Sequence, residues 1–273
     1  VPAGAAEDLP RLVVGDDGSA AADVVWLWVN NHRWSGWRIS VLTATPPKAG
    51  PPVGATRAAP HPWEPPHPRE LLGADDVPVE HLLAESDPRL ALDSCADAGL
   101  VAIGPRGRGV LKHLHLGSTA EWLISYRRPL APVVVVRSAH RTQDVLLCVD
   151  GSDHAQSAAQ CLAGLPWAAE CRVQVVGVNA RGLDTTSAVE EAAELLSRSG
   201  VREVRRRVID APPPTAAELD VREAVLALIK ADSPDLVVVG ARGVGGLEGL
   251  LVGSVTSAVV HHAPCSVLIA RSG

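Results

Sequence analysis

The sequence predicts an α/β protein of two tandem domains, each a five-stranded parallel sheet flanked by helices. Three observations predict it. Short apolar runs alternate with amphipathic ones along the chain, the pattern of parallel strands joined by helical crossovers. The pattern restarts near Val145, so a domain-sized unit occurs twice. One glycine skeleton, Gly-x2-Gly-x9-Gly-Ser, occurs once in each unit. Its first copy is Gly104, Gly107, Gly117 and Ser118, and its second is Gly240, Gly243, Gly253 and Ser254. The expected domains are residues 1–140 and 141–273, meeting at the short polar stretch Ser138–Thr142.

In chain order, Arg11–Gly15 is an apolar strand that ends in Asp16-Asp17-Gly18-Ser19. Ser19 can cap a helix from Ala20 to His32 whose inner face is Val24, Val25, Leu27 and Trp28. Trp37–Ala44 is the second strand. Thr45–Pro68 holds nine prolines, which remove backbone donors, so no helix is assigned there. Val77–Ala84 reads as an edge strand, and Asp87-Pro88 opens a helix to about Ala98. Leu100–Ile103 is a strand that delivers the first glycine loop, Ser118–Tyr126 a helix and Pro132–Arg137 a strand.

The second unit repeats this order. Val145–Val149 is followed by Asp150-Gly151-Ser152, as Arg11–Gly15 is followed by Asp17-Gly18-Ser19. A helix Asp153–Leu165 and a strand Arg172–Val178 come next. The helix Thr185–Ser199 turns Val189, Ala193, Leu195 and Leu196 inward and Glu190, Glu191 and Glu194 outward. Val204–Ile209 is a strand, in which Arg205-Arg206-Arg207 reads as an exposed face. Pro212–Pro214 is a break. A helix from about Asp220 to Lys230, the strand Leu236–Val239, the second glycine loop, a helix Ser254–His262 and a strand Ser266–Ala270 complete the unit.

The bulk numbers exclude several classes of function. With 273 residues, 47% of them hydrophobic, the chain can bury a real core. A net charge of −6 argues against non-specific nucleic-acid binding. No apolar run approaches the roughly 20 residues of a membrane-spanning helix. The start, VPAGAAEDLP, has no basic or apolar region of a secretory leader, and a cytoplasmic location is expected. The absence of Met reads as processing, trimming or editing of the chain. Seven Trp stand beside no Phe, and nothing in the sequence explains it. The five cysteines are scattered without C-x-x-C spacing, which fits reduced, buried thiols.

The glycine loops point to an anion. In an open parallel sheet, ligands sit beyond the carboxyl ends of the strands. Both loops and both Asp-Gly-Ser corners lie there. Glycine allows close approach of the backbone and positive φ, and successive N–H groups can then converge on a phosphate. Gly117 and Gly253 precede helices whose free N–H groups and dipole favour negative charge, each dipole contributing about 0.3–1 kcal/mol. Ser118, Thr119, Ser254 and Thr256 add hydroxyls for phosphate or a divalent ion. The loops lack the Walker lysine and the G-x-G-x-x-G dinucleotide pattern. The first loop carries Arg106, Arg108, Lys112, His113 and His115, the second Arg242 with Glu248, so the first is expected to neutralise phosphate better.

On this skeleton, on its Asp-Gly-Ser corners and on the closing phrases RRPLAPVVVVR and HHAPCSVLIAR, the chain resembles the universal stress protein family in its tandem form. The resemblance covers almost the whole chain. It implies an adenine nucleotide alpha hydrolase-like fold that binds ATP, with Mg2+. It also implies that Asp17 and Asp150, with Gly15 and Val149 nearby, line the adenosine, and that Ala44 and Val178 contact adenine. The loop residues Gly104, Arg106, Gly107, Gly117, Ser118, Thr119, Gly240, Arg242, Gly243, Gly253, Ser254 and Val255 would hold ribose and phosphates. The last strands, Val133–Val136 and Val267–Ile269, resemble the dimer-forming edge of the family and would join the halves as an internal pseudo-dimer, besides any homodimer. Thr45–Pro68 departs from the family pattern by replacing much of the second helix of the first domain. Cys148 also departs, standing where the first domain has Gly15.

No nucleophile elbow, zincin motif or His/Cys metal cluster occurs. His261-His262 reads as a charge partner at a helix end. The resulting expectation is a nucleotide-dependent regulator of a protein partner in a stress or dormancy response. The alternatives are a slow ATP-hydrolysing enzyme and a nucleotide-free interaction scaffold.

Overall fold

The computed structural model describes residues 9–45, 69–71, 77–107, 116–125, 131–180, 182–210, 221–244 and 252–272. The first half contributes β1 (Arg11–Gly15), α1 (Ala20–Asn30), β2 (Arg38–Ala44), β3 (Val79–Ala84), α2 (Pro88–Asp93), β4 (Leu100–Ile103), α3 (Ser118–Ser125) and β5 (Val133–Val135). The second contributes β6 (Asp144–Val149), α4 (Asp153–Ala163), β7 (Arg172–Asn179), α5 (Thr186–Arg198), β8 (Glu203–Asp210), α6 (Val221–Asp232), β9 (Leu236–Gly240), α7 (Ser254–His262) and β10 (Ser266–Ala270). The strand order is β3-β2-β1-β4-β5-β10-β9-β6-β7-β8. Each half is a five-stranded parallel sheet, and the two merge into one ten-stranded sheet through a single antiparallel pair, β5 with β10.

That seam follows from sequence. Three consecutive valines in β5 and Val267-Leu268-Ile269 in β10 are buried on both faces, as strands inside a covered sheet must be. An isolated half would leave such a strand as an open edge. Here Val135 faces Val267, Val134 faces Leu268 and Val133 faces Ile269, so a local two-fold relation is centred on Val134 and Leu268. Side-chain alternation continues across the seam. Val134, Val136, Leu268 and Ala270 join the core under α1, α4 and α5. Val133, Val135, Val267 and Ile269 join the core under α2, α3, α6 and α7.

The helices form where the sequence places their caps. The Ser19 and Ser152 hydroxyls accept the Ala22 and Ala155 N–H groups at 3.3 and 3.2 Å. The Asp87 carboxylate caps α2, with Pro88 in its first turn. The inner face of α1 differs from expectation. Ala22, Val25, Trp26, Trp28 and Val29 are buried, whereas Leu27 is 48% exposed. One element, α1, faces two partners, the sheet and the aromatic cluster below, and this widens and rotates its apolar stripe. Ala192 replaces Leu195 on the buried face of α5. The arginine run of β8 is exposed as expected, and edge position lets it pair to both sides: Arg206 with Glu190, Arg207 with Asp232.

Four of the tryptophans meet at the junction of the halves. Trp28, Trp34 and Trp37 from the first half pack with Trp167 from the second, at edge-on centroid distances of 5.6 to 6.5 Å. His32 sits among them, 4.6 Å from the Trp167 ring. The Thr142 N–H donates to His32 Nε2 at 2.9 Å, so Nδ1 carries the proton and donates to the Trp28 carbonyl at 2.6 Å. The polar junction stretch is therefore anchored, and Thr142 itself is buried.

Burial lowers the His32 pKa to about 4. An unfolded chain binds that proton near its ordinary value of about 6.5, so the folded state is the poorer proton acceptor. The resulting stability is complete above about pH 6.5 and is lost as pH falls from there to about 4, a total of about 3 kcal/mol. Urea midpoints at pH 7 and pH 4.5 check this. The His32→Gln variant should show a fall smaller by about 2 kcal/mol than the unsubstituted chain, and equal falls would refute the assignment.

Candidate functional site

The carboxyl ends of β1, β2 and β4 open onto a cleft of about 220 Å³. All nine first-half residues expected at the site line it: Gly15, Asp17, Ala44, Gly104, Arg106, Gly107, Gly117, Ser118 and Thr119. Leu42, Leu92 and Ile103 form its apolar wall, and the glycine loop with the start of α3 forms its polar end.

The motif glycines are required by close packing. The positive-φ glycines of the described residues include Gly18 and Gly151 in the Asp-Gly-Ser corners, at 70° and 84°, but none of the six motif glycines. A Cβ on Gly104 would lie 2.9 Å from the Ala21 Cβ, and one on Gly240 2.6 Å from the His154 carbonyl carbon. These glycines let the strand end touch the first turn of α1 or α4. A Cβ on Gly107 would lie 2.3 Å from Asp17 Oδ2, and one on Gly243 2.2 Å from Asp150 Oδ2. The corner carboxylate fills the place of the missing side chain. Gly117 and Gly253 close the loop on itself, donating their N–H to the Pro105 and Ala241 carbonyls at 2.7 and 2.8 Å.

The two aspartates thereby become buttresses of the loops. Asp17 Oδ1 accepts the Ser19 N–H at 3.0 Å. Asp150 Oδ1 accepts from Ser152, and Asp150 Oδ2 accepts the Val244 N–H at 2.9 Å. In the second half, Gly240, Arg242, Gly243, Gly253, Ser254 and Val255 follow the same course at the ends of β9 and α7. Val178 is buried near the end of β7 among the core residues beneath α6. Val149 is packed into the opposite core, while its counterpart Asp16 lines the first cleft. Thr256 is not available to a ligand: it is buried and donates its hydroxyl to the Gly240 carbonyl at 2.6 Å. Arg108, Lys112, His113, His115 and Glu248, and with them the comparison of loop charge, lie outside the described residues, as does nearly all of Thr45–Pro68 and Pro212–Pro214.

Electrostatics at the loops is dominated by burial. Burial pushes the Cys148 thiol, at the Gly15 position, up to about 12, with Asp150 adding to it. Cys148 is therefore a protonated packing residue. Burial, then Arg242 and Arg271, hold His154 below its ordinary value. All five cysteines are free. Among the described residues no group of three or more His, Cys, Asp or Glu could hold a metal ion, and no helix is long and apolar enough to cross a membrane.

Sequence reasoning missed one pair, Asp16 and Arg69. Arg69 Nε donates to Asp16 Oδ2 at 2.8 Å, with both side chains under 10% exposed, and its Nη2 donates to Asp23 at 2.8 Å. Burial opposes the Arg69 charge, but its hydrogen bonds to Asp16 and Asp23 outweigh that and raise its pKa. Asp16 was visible as the extra acid of Asp16-Asp17-Gly18-Ser19, but Arg69 follows a proline-rich stretch and carries no local signal. Removing one partner of a buried pair leaves an uncompensated charge, at a cost of about 3 kcal/mol. Arg69→Met should lower the unfolding free energy by that amount in denaturant titration. Adding Asp16→Val, the residue type of the second half, should restore most of it, and independent additive losses would refute the pairing.

Comparison with known proteins identifies the family and the fold. The model of the universal stress protein family matches residues 141–271. A universal stress protein of Mycobacterium tuberculosis is 33% identical over 220 residues, covering 74% of this chain and 72% of that protein. A second from the same organism is 29% identical over 304 aligned residues, covering 95% and 96%. Among solved structures, a universal stress protein from Archaeoglobus fulgidus superposes with a TM-score of 0.63 at 16% identity, over 97% of this chain and 100% of that one. A functionally unknown protein from Pseudomonas aeruginosa gives 0.60 at 13% identity, over 98% and 94%. At these identities the structures establish the fold.

Proposed function

Because the chain belongs to the universal stress protein family, we propose that it is a nucleotide-dependent regulator that binds ATP with Mg2+ and acts in a stress or dormancy response. The observation that carries this reading is the first cleft, where one apolar wall and one loop of donors share a single opening. Leu42, Ala44, Leu92 and Ile103 suit the flat face of a base. Arg106, the loop N–H groups and the first turn of α3 suit phosphate, because a helix start offers unpaired donors and a favourable dipole. The Ser118 and Thr119 hydroxyls add donors there.

The fit supports a nucleotide of this kind. The volume of about 220 Å³ lies just under the roughly 300 Å³ of the smallest enclosed ligand pockets. It suits a base and sugar, with the phosphates running out along the loop. Bound Mg2+ would offset the phosphate charge, and the Ser118 hydroxyl would be one of its ligands. We extend the reading to the second loop, with Asp150, Gly240, Arg242, Gly243, Gly253, Ser254 and Val255 at the phosphates and Val178 toward the base. The proposed units are then two nucleotide-binding domains, residues 1–140 and 141–273, in a cytoplasmic chain that could pair with a second copy.

Regulation is favoured over catalysis by the commitments of the acids. Asp17 and Asp150 accept main-chain N–H groups and Asp16 is paired with Arg69. None of these carboxylates is placed as a free general base, which rapid hydrolysis would use. ATP acts instead by its differential affinity for two states of the chain or of its assembly with a partner protein.

Calorimetric titration with Mg-ATP tests the reading, together with identification of any nucleotide released on denaturation. Two sites are expected. Gly107→Ala should remove the first and Gly243→Ala the second, each by at least about tenfold in Kd, since the new Cβ drives the loop off its aspartate. No heat at millimolar ATP in the unsubstituted chain would sink the proposal.

A further inference from the structure

Arg137 and Arg271 stand three residues beyond Val134 and Leu268, the centre of the β5–β10 seam. Antiparallel pairing carries each of them into the opposite half. Arg137, from the first half, donates to the Val260 carbonyl of α7 and to the Cys265 carbonyl. Arg271, from the second, donates to the Leu123 and Ile124 carbonyls of α3. Val260 and Ile124 are equivalent: each is the seventh residue of a helix that starts at the serine of its glycine skeleton. The last carbonyls of a helix have no partner within it, and a cation there is doubly favourable, as hydrogen-bond donor and as counter-charge to the dipole.

We propose that Arg137 and Arg271 are exchanged positioning residues, each holding in place the ligand-facing helix of the other half. The proposal rests on the nucleotide reading above. Helix α3 has eight residues, about 12 Å of helix, so a shift at its clamped end is felt at Ser118 and Thr119. Burial holds Arg271 at about 10, with Arg242 the next influence. Burial likewise lowers Arg137, against the opposing influence of Cys265 and with a further contribution from Arg106. Beyond Arg271, the Ser272 N–H donates to His154 Nδ1 at 2.8 Å, tying this segment to the first turn of α4.

A second contact joins the same helices. His261 Nε2 of α7 lies 3.1 Å from the Glu121 carboxylate of α3, so both helices are referred to one seam from either side. That contact lies on the exposed rim and is screened by solvent, whereas the guanidiniums are largely buried. The arginines are accordingly the ones to substitute.

The test combines each clamp variant with a chain that keeps a single site. On Gly243→Ala, which retains the first site, Arg271→Gln should weaken Mg-ATP binding about fivefold. On Gly107→Ala, which retains the second, the same substitution should change binding by less than about twofold. Arg137→Gln should give the mirror result. A role confined to overall stability would not follow this crossed pattern. Amide hydrogen exchange without nucleotide is the second readout: Arg271→Gln should speed exchange in α3 and Arg137→Gln in α7. Loss of affinity in the half that carries the substituted arginine, or unchanged exchange in the opposite helix, would overturn the proposal. A parent chain that binds no Mg-ATP overturns the nucleotide reading instead, and exchange still decides the clamp.

Discussion

The structure depends on one strand pairing, β5 with β10. A parallel sheet built from crossover units ends in a strand whose outer edge is unpaired, and three valines in a row make that edge too apolar to leave in water. Turning the second half about Val134 and Leu268 satisfies both edges at once and, among the described residues, leaves β3 and β8 as the edge strands. The same rotation fixes what lies on each side of the sheet. On one face it brings α3 and α7 to the seam, where they meet the arginines of the opposite halves. On the other it brings Trp28 and His32 against Trp167.

The glycine loops show how a motif associated with ligands can be set by packing first. Each glycine lacks a side chain because something already occupies that space: a helix turn at Gly104 and Gly240, a carboxylate at Gly107 and Gly243, the returning loop at Gly117 and Gly253. The spacing is then a geometric requirement. Among the described residues, the chain passes its aspartate just after the strand and closes against that same point just before the helix begins. Asp17 and Asp150 belong to this framework, which explains why each stands one residue before a positive-φ glycine at a strand end.

The halves are built alike but differ around the site. The first has Asp16 in its cleft wall and requires Arg69 to compensate the charge. The second has Val149 there, which needs no partner and joins the core. Cys148 replaces Gly15, and Thr256 replaces Ala120 with a hydroxyl that ties α7 to the end of β9. Each change is matched by its surroundings, so the described ends of the two loops keep the same contacts despite different neighbours.

The sequence by itself determined the strand and helix order, the duplication, the first helix caps and the glycine loop of the first cleft, while Gly15, Ala44 and Arg106 came from the family resemblance. The former are legible because alternation, capping and glycine spacing act over a few neighbouring residues, and burial selects the same residue types wherever the pattern recurs. That the last strands would join the halves came from the family resemblance alone. The tertiary structure alone decided what the glycines make room for, which hydroxyls point away from the cleft, and that Arg69 answers Asp16. It alone decided that Arg137 and Arg271 cross to each other's helices. Those outcomes turn on groups far apart in the chain and close in space, where the cost of burying a charge or leaving a carbonyl unpaired is settled by whichever partner the fold delivers.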